Sequence, residues 1–171
     1  MPRPLQRTLD ILIPLLVGAF CALVAFGPPY EAPPLPLLGG LAGVAQGAAL
    51  VWRRSHPLQV LGVTLAGGVI TWLYLPEVIF PIAALFALFS VAALCSPRVS
   101  LPALAAVLAV TALSFLTEPV ADVTFGLAVG VVVWALGEVV RNRRVAIAEA
   151  TRRAVGEEQA RIARELHDVI A

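Results

Sequence analysis

The sequence contains no lysine; all twelve of its basic residues are arginine, a usage that points to a GC-rich coding sequence more than to any chemistry. Charge of either sign is scarce, at 13% of 171 residues against 60% hydrophobic, with a mean hydropathy of +0.91. Such values lie far from those of a soluble globule and point to a polytopic membrane protein. The formal net charge is only +1, so no general basic field suggests nucleic acid, and no direct nucleic-acid partner is expected. Cysteine is nearly absent. Cys21 and Cys95 fall in different apolar runs at different expected depths, which argues for soft packing rather than a disulfide. His56 stands alone in a short loop without a Cys or His partner nearby, so no metal site is expected. There is no Walker loop, no metal-ligand cluster and no Ser/His/Asp set placed for hydrolysis. No ionisable residue lies near the middle of an apolar run, and there is no convincing inverted repeat or broken helix pair, features that ion-coupled transporters generally need.

What the chain does have is six apolar runs: Leu9–Phe26, Leu35–Trp52, Leu58–Leu75, Val78–Cys95, Leu101–Thr117 and Val123–Val140. Helices of about 17–20 residues are enough to cross a ~30 Å hydrocarbon core. The first run follows Arg3 and Arg7 but is long and leads directly into further runs, which separates it from a signal peptide. Pro14 and Pro81 lie inside or near the start of their runs and are candidate kinks.

The connecting segments sort by charge. Arg3, Arg7, Arg53, Arg54, Arg98 and the Arg141–Arg144 cluster fall in one alternate set; Glu31, Glu77, Glu118 and Asp122 fall in the other. Short Arg-rich loops stay on the cytoplasmic side, so both termini are expected inside, in a bacterial cytoplasmic membrane. Within the runs, Gly39, Gly43 and Gly47, and again Gly126 and Gly130, have the spacing that lets helices approach closely, in a dimer seam or within one subunit. Gln46 lies mid-run and is expected to hydrogen-bond to another helix. Asp10 and Glu138 lie at inner edges, where Glu138 can pair with Arg141 at i+3. Trp52, Trp72, Tyr74 and Trp134 read as interfacial anchors.

The last fifteen residues, Glu157–Ala171, are different: charged, free of Gly and Pro, and made of good helix formers. Ile162, Leu166 and Val169 recur at i, i+4, i+7, with Val155 one heptad earlier. With Leu166 as a coiled-coil a position, Val155, Ile162 and Val169 are d positions, and His167 (b) and Asp168 (c) face water beside the seam. A neutral imidazole nitrogen can attack phosphorus near physiological pH, and a neighbouring carboxylate can take the ring proton or fix the tautomer. On spacing alone His167 is an ordinary solvated residue. The run Arg161-Ile162-Ala163-Arg164-Glu165-Leu166-His167-Asp168, however, resembles the phosphoacceptor motif of sensor histidine kinases, in the subgroup that partners LuxR/NarL-type response regulators.

The resemblance implies His167 as the phosphoacceptor and Asp168 as the assisting base. It also implies a homodimer formed through the cytoplasmic helix, and ATP and Mg2+ bound by a catalytic domain. The family pattern continues past Ile170 and Ala171 into a second His and the remainder of a helical hairpin, before which this sequence stops; these 171 residues alone are therefore expected to be inactive as a kinase. The expected architecture is all-α: a six-helix transmembrane sensor domain over 1–140, a cytoplasmic linker or signalling helix over 141–156, and the start of the dimerisation and phosphoacceptor domain over 157–171. Arg143, Arg144, Arg152 and Arg153 can contact anionic membrane lipid or stay solvated, and Gly156 interrupts a weak apolar seam just before the motif. A six-helix transporter or channel with an amphipathic tail is the competing reading, disfavoured by the absence of mid-span charge.

Overall fold

The computed structural model describes residues 36–74, 82–113 and 119–170, together with Leu12, Leu16, Val17, Ala19, Phe20 and Leu116. Among these residues the fold is all-helical, with no strand. Five α-helices run in order: α1 (Pro36–Ala49), continued by a 3-10 turn (Leu50–Trp52), α2 (Pro57–Tyr74), α3 (Ile82–Leu94), α4 (Pro97–Leu113) and α5 (Val120–Ile170). Leu12, Leu16, Val17, Ala19 and Phe20 are also helical. The all-α expectation therefore holds, while six spans are a finer statement than these helices make. By length and composition one helix, α5, can cross a membrane, with a mean hydropathy of 2.1 in its most apolar window; the other apolar helices are shorter. The predicted first run, the start of the fourth, Pro14, Pro81, Asp10, Cys21, Glu31, Glu77 and Glu118 lie largely or wholly outside the described residues.

The helices pair by small residues. α3 is the central helix, touching α2, α4 and α5, and most of its length is buried through Ala83, Ala84, Ala87, Ala92, Ala93 and Ser90. Leu88 and Val91 complete its inner face and meet Leu50, Val60, Leu61, Ala103 and Val107 in the core. Large apolar side chains such as Leu41, Leu58, Ile70, Leu101 and Phe125 instead point outward. Small residues inside with large ones outside is the pattern of helices that associate by close packing rather than by hiding oil from water.

The turn between α3 and α4 is tight. The Cys95 amide donates to the Val91 carbonyl at 2.8 Å, and the Val99 and Ser100 amides donate to the Ser96 carbonyl. Pro97 suits the first helical position because its missing N–H has no intrahelical acceptor there. This start lies four residues before the predicted Leu101. α4 then runs antiparallel to α5, with Ser100 meeting Glu138, Leu108 beside Gly130 and Thr111 beside Gly126. Since α4 also turns back on α3, α3 and α5 are parallel. α1 and α2 form a hairpin in which Gln46 Nε2 donates to Thr71 Oγ1 at 3.1 Å, the cross-helix bond expected of that residue. Gly67 makes room for the Gln46 side chain, whose Cγ lies 2.6 Å from where a Cβ would sit.

Gly126 and Gly130 thus serve packing within the chain, but among the described glycines the least room for a Cβ is at Gly137. A Cβ there would lie 2.5 Å from the Ala92 Cβ and 2.9 Å from the Phe89 carbonyl oxygen, a backbone atom that cannot swing aside. Gly130, Trp134 and Gly137 recur at i, i+4, i+7 on one face of α5, and Trp134 is partly buried against the core. Gly137→Val is expected to destabilise the bundle by about 1–3 kcal/mol through overpacking. Gly156→Ala, where nothing lies within 4 Å, should be neutral or slightly stabilising. Unfolding of the two variants at one midpoint in detergent would remove the helix-contact explanation.

Candidate functional site

α5 continues without a break from the bundle to Ile170, passing both predicted boundaries, at 140 and at Gly156. One glycine in a helix interior costs about 1 kcal/mol relative to Ala and does not end it. At 1.5 Å per residue the helix is roughly 75 Å long.

Where α5 leaves the bundle, three elements converge. Glu138 and Arg141 form the i,i+3 ion pair expected from their spacing, with Arg141 Nη1 and Nη2 donating to the two carboxylate oxygens and each side chain only 15% exposed. Ser100 Oγ, at the start of α4, donates to Glu138 Oε1 at 2.7 Å. Arg141 Nη1 also donates to the Cys95 carbonyl at the end of α3, 3.2 Å away. The glutamate thereby accepts from α4 and α5, and the arginine ties α5 to the α3 terminus. Ser100 and the Cys95 carbonyl are the partners that spacing along one helix does not reveal.

From Asn142 to Arg164 every residue of α5 is exposed. Local support comes from Glu149–Arg153 at 3.5 Å and Glu158–Arg161 at 2.7 Å, exposed pairs worth a few tenths of a kcal/mol each. Val155, Ile162 and Leu166 are all about half exposed, so these three members of the apolar line read from the sequence are left uncovered by the other described residues. The backbone at His167 and Asp168 is helical; their side chains lie outside the described residues. Adjacent helix positions differ by about 100° around the axis, so the two occupy neighbouring sectors rather than one face.

A second feature sits between α3 and α5. A groove of about 530 Å³ is walled by Ile82, Leu85, Phe86, Phe89, Val133 and Leu136 and carries Arg53, Arg54 and Arg144 on its lining. Arg53 is only 8% exposed and donates to the Leu50 carbonyl at 3.3 Å, whereas its neighbour Arg54 is exposed. Nothing in two adjacent arginines announces which one turns inward. His56 Nδ1, by contrast, lies 3.1 Å from the neighbouring Ser55 hydroxyl, and the described residues contain no group of three metal-ligating side chains.

The family described as Domain of unknown function (DUF7134) matches residues 4–144. The chain belongs to the DUF7134 family. No curated protein and no solved structure matches the chain. The DUF7134 match takes in the bundle, the Ser100–Glu138–Arg141 junction and all three groove arginines, and stops just where α5 becomes fully exposed. The Arg161–Asp168 run lies beyond it.

Proposed function

We propose that this DUF7134 chain is the membrane sensor part of a two-component sensor histidine kinase. Its helices form a six-span bundle in the bacterial cytoplasmic membrane with both termini inside. The reading is carried by one observation: the Arg161–Asp168 run lies near the end of an uninterrupted helix that starts within an apolar bundle. Support for membrane embedding comes from the outward-facing Leu, Ile and Phe side chains and from α5, whose most apolar window is only 17% buried by protein. A helix that apolar inside a soluble protein would be mostly covered. The up-and-down course of α3, α4 and α5 fits the alternation of Arg-rich and acidic loops.

In this reading the exposed stripe of Val155, Ile162 and Leu166 pairs with a second copy, giving a homodimer. His167 attacks the γ-phosphorus of ATP; the bond to the ADP oxygen breaks as the N–P bond forms, and the ring proton passes to Asp168. The phosphoryl group then moves from His167 to a carboxylate of a LuxR/NarL-type response regulator, regenerating the imidazole. ATP and Mg2+ are assigned to a catalytic domain, not to this bundle. The outer connections are short, so the stimulus acts in the bilayer, at its surface or through another membrane protein, and reaches His167 by movement of α5.

The test is to incubate membranes carrying the whole gene product with γ-labelled ATP. Label that is lost in acid, survives alkali and maps to His167 is expected. Label on serine or threonine, or transmembrane substrate flux without histidine labelling, would overturn the proposal.

A further inference from the structure

We infer that a second copy meets this chain as a splayed pair: the two α5 helices converge on the apolar seam below the bundles and are held apart by the bundles above it. This rests on the homodimer part of the reading above and is independent of phosphotransfer. The observation is a repeat within α5. Gly130, Gly137 and Arg141 are followed, each 25 positions on, by Val155, Ile162 and Leu166. At 3.6 residues per turn that is about seven turns, so each apolar residue lies within about 20° of its counterpart around the axis. Within the bundle this sector is the covered one. Gly130 lies against Leu108 of α4 and Gly137 against Ala92 of α3, and Arg141 reaches the Cys95 carbonyl where α3 ends. The opposite sector carries Val132, Leu136 and Val139, all more than half exposed. Its counterparts, 25 positions on, are Glu157, Arg161 and Arg164. The apolar side of the exposed stretch thus prolongs the side that α3 and α4 cover, and its charged side prolongs the outward one.

That continuity decides how two copies can fit together. A two-fold axis on the outward side brings Val132, Leu136 and Val139 together, but it places Glu157, Arg161 and Arg164 of both copies at the contact and leaves the seam bare. Antiparallel pairing through the seam covers it, but sets the two bundles at opposite ends of the pair, which one membrane cannot hold. A parallel pair with the axis on the seam side covers Val155, Ile162 and Leu166 and keeps both bundles in one membrane. Its requirement is steric. Paired helices lie about 8–10 Å apart, yet at the rim α3 and α4 of each copy stand between the two α5 helices. The least separation there is three interhelix spacings, roughly 24–30 Å. From Arg141 to Ile162 the helix runs roughly 32 Å, so each α5 inclines toward the axis by about 15° or more.

The test uses the 171-residue chain in neutral detergent, with one spin label per chain in a Cys21→Ala, Cys95→Ala background. The label is carried by Val139→Cys or by Arg164→Cys, exposed positions that share one sector of α5. Double electron–electron resonance then reads the distance between copies at two heights. Labels at position 139 are expected to lie about 15 Å or more further apart than labels at position 164. Ile162 is half exposed and outside the bundle, so Ile162→Glu should abolish both distances while leaving helicity by circular dichroism unchanged. Equal distances at the two heights would mean a straight parallel pair and overturn the splayed geometry alone. A shorter distance at position 139 than at 164 would put the axis on the outward side and overturn it as well. No distance between copies, or distances that survive Ile162→Glu, would remove the seam pairing itself, and the inference with it.

Discussion

His167→Gln is expected to reduce ATP-derived label on the whole gene product to background. Glutamine keeps a polar side chain of similar reach and is a good helix former, so the helical backbone at this position should survive the change. What disappears is the nucleophilic nitrogen, and with it any N–P bond. Circular dichroism and dimer mass unchanged from wild type would locate the loss in the chemistry rather than in folding. Asp168→Asn makes the sharper comparison. If the carboxylate receives or orients the ring proton, its loss should slow labelling by about 10²–10⁴-fold, the usual range for a positioned acid or base, while leaving His167 able to be labelled slowly. Undiminished labelling of the histidine variant would sink the acceptor assignment; an unchanged rate in the aspartate variant would sink the assisting role alone.

The second large effect belongs to stability. Glu138→Ala should cost about 3 kcal/mol, the low end for breaking a buried ion pair, because Arg141 retains the Cys95 carbonyl and lies near the rim of the bundle. The loss has two sources: an arginine left at 15% exposure without its carboxylate, and a Ser100 hydroxyl without its acceptor. Glu138→Gln keeps the acceptor for Ser100 and should recover part of the loss. In a double-mutant cycle with Arg141→Gln, the pair should show coupling of about 1 kcal/mol or more, as expected for groups within one hydrogen-bonded network. Additive effects, read as unfolding in detergent, would mean that the pair does not act as a unit. Ser100→Ala should produce a smaller change in the same direction.

The helices were legible wherever the signal is local. Apolar runs gave the positions of α1 and α2 and the start of α5 closely, and the spacing of Glu138 and Arg141 gave their pairing, since both properties belong to one segment. Gln46 was legible too, because a polar amide in an apolar run needs a partner. The other end of each long-range contact was not. Ser100 lies 38 residues from Glu138 and the Cys95 carbonyl 46 from Arg141, and a backbone carbonyl has no letter in the sequence. Gly137 was missed beside the more conspicuous Gly126 and Gly130 because its tight contact depends on which face meets α3, not on glycine spacing. The packing of Trp134 against the core was missed for the same reason. The early start of α4 was not read from the apolar run, which begins at Leu101, because the first turn from Pro97 is polar and charged through Arg98 and Ser100. At the candidate acceptor the sequence carries the motif, and the fold adds only the unbroken helical backbone through it.

An unbroken helix beyond the bundle rim is a mechanical lever. From Arg141 to His167 it extends roughly 39 Å at 1.5 Å per residue, so a tilt of about 10° at the rim sweeps its far end through roughly 7 Å. The fulcrum is the Ser100–Glu138–Arg141–Cys95 junction, where α5 is bonded to both neighbouring helices. A displacement too small to disturb packing inside the bundle would thereby be magnified to about the width of a side chain at position 167, which under the proposed function is the scale that decides whether two reacting atoms meet.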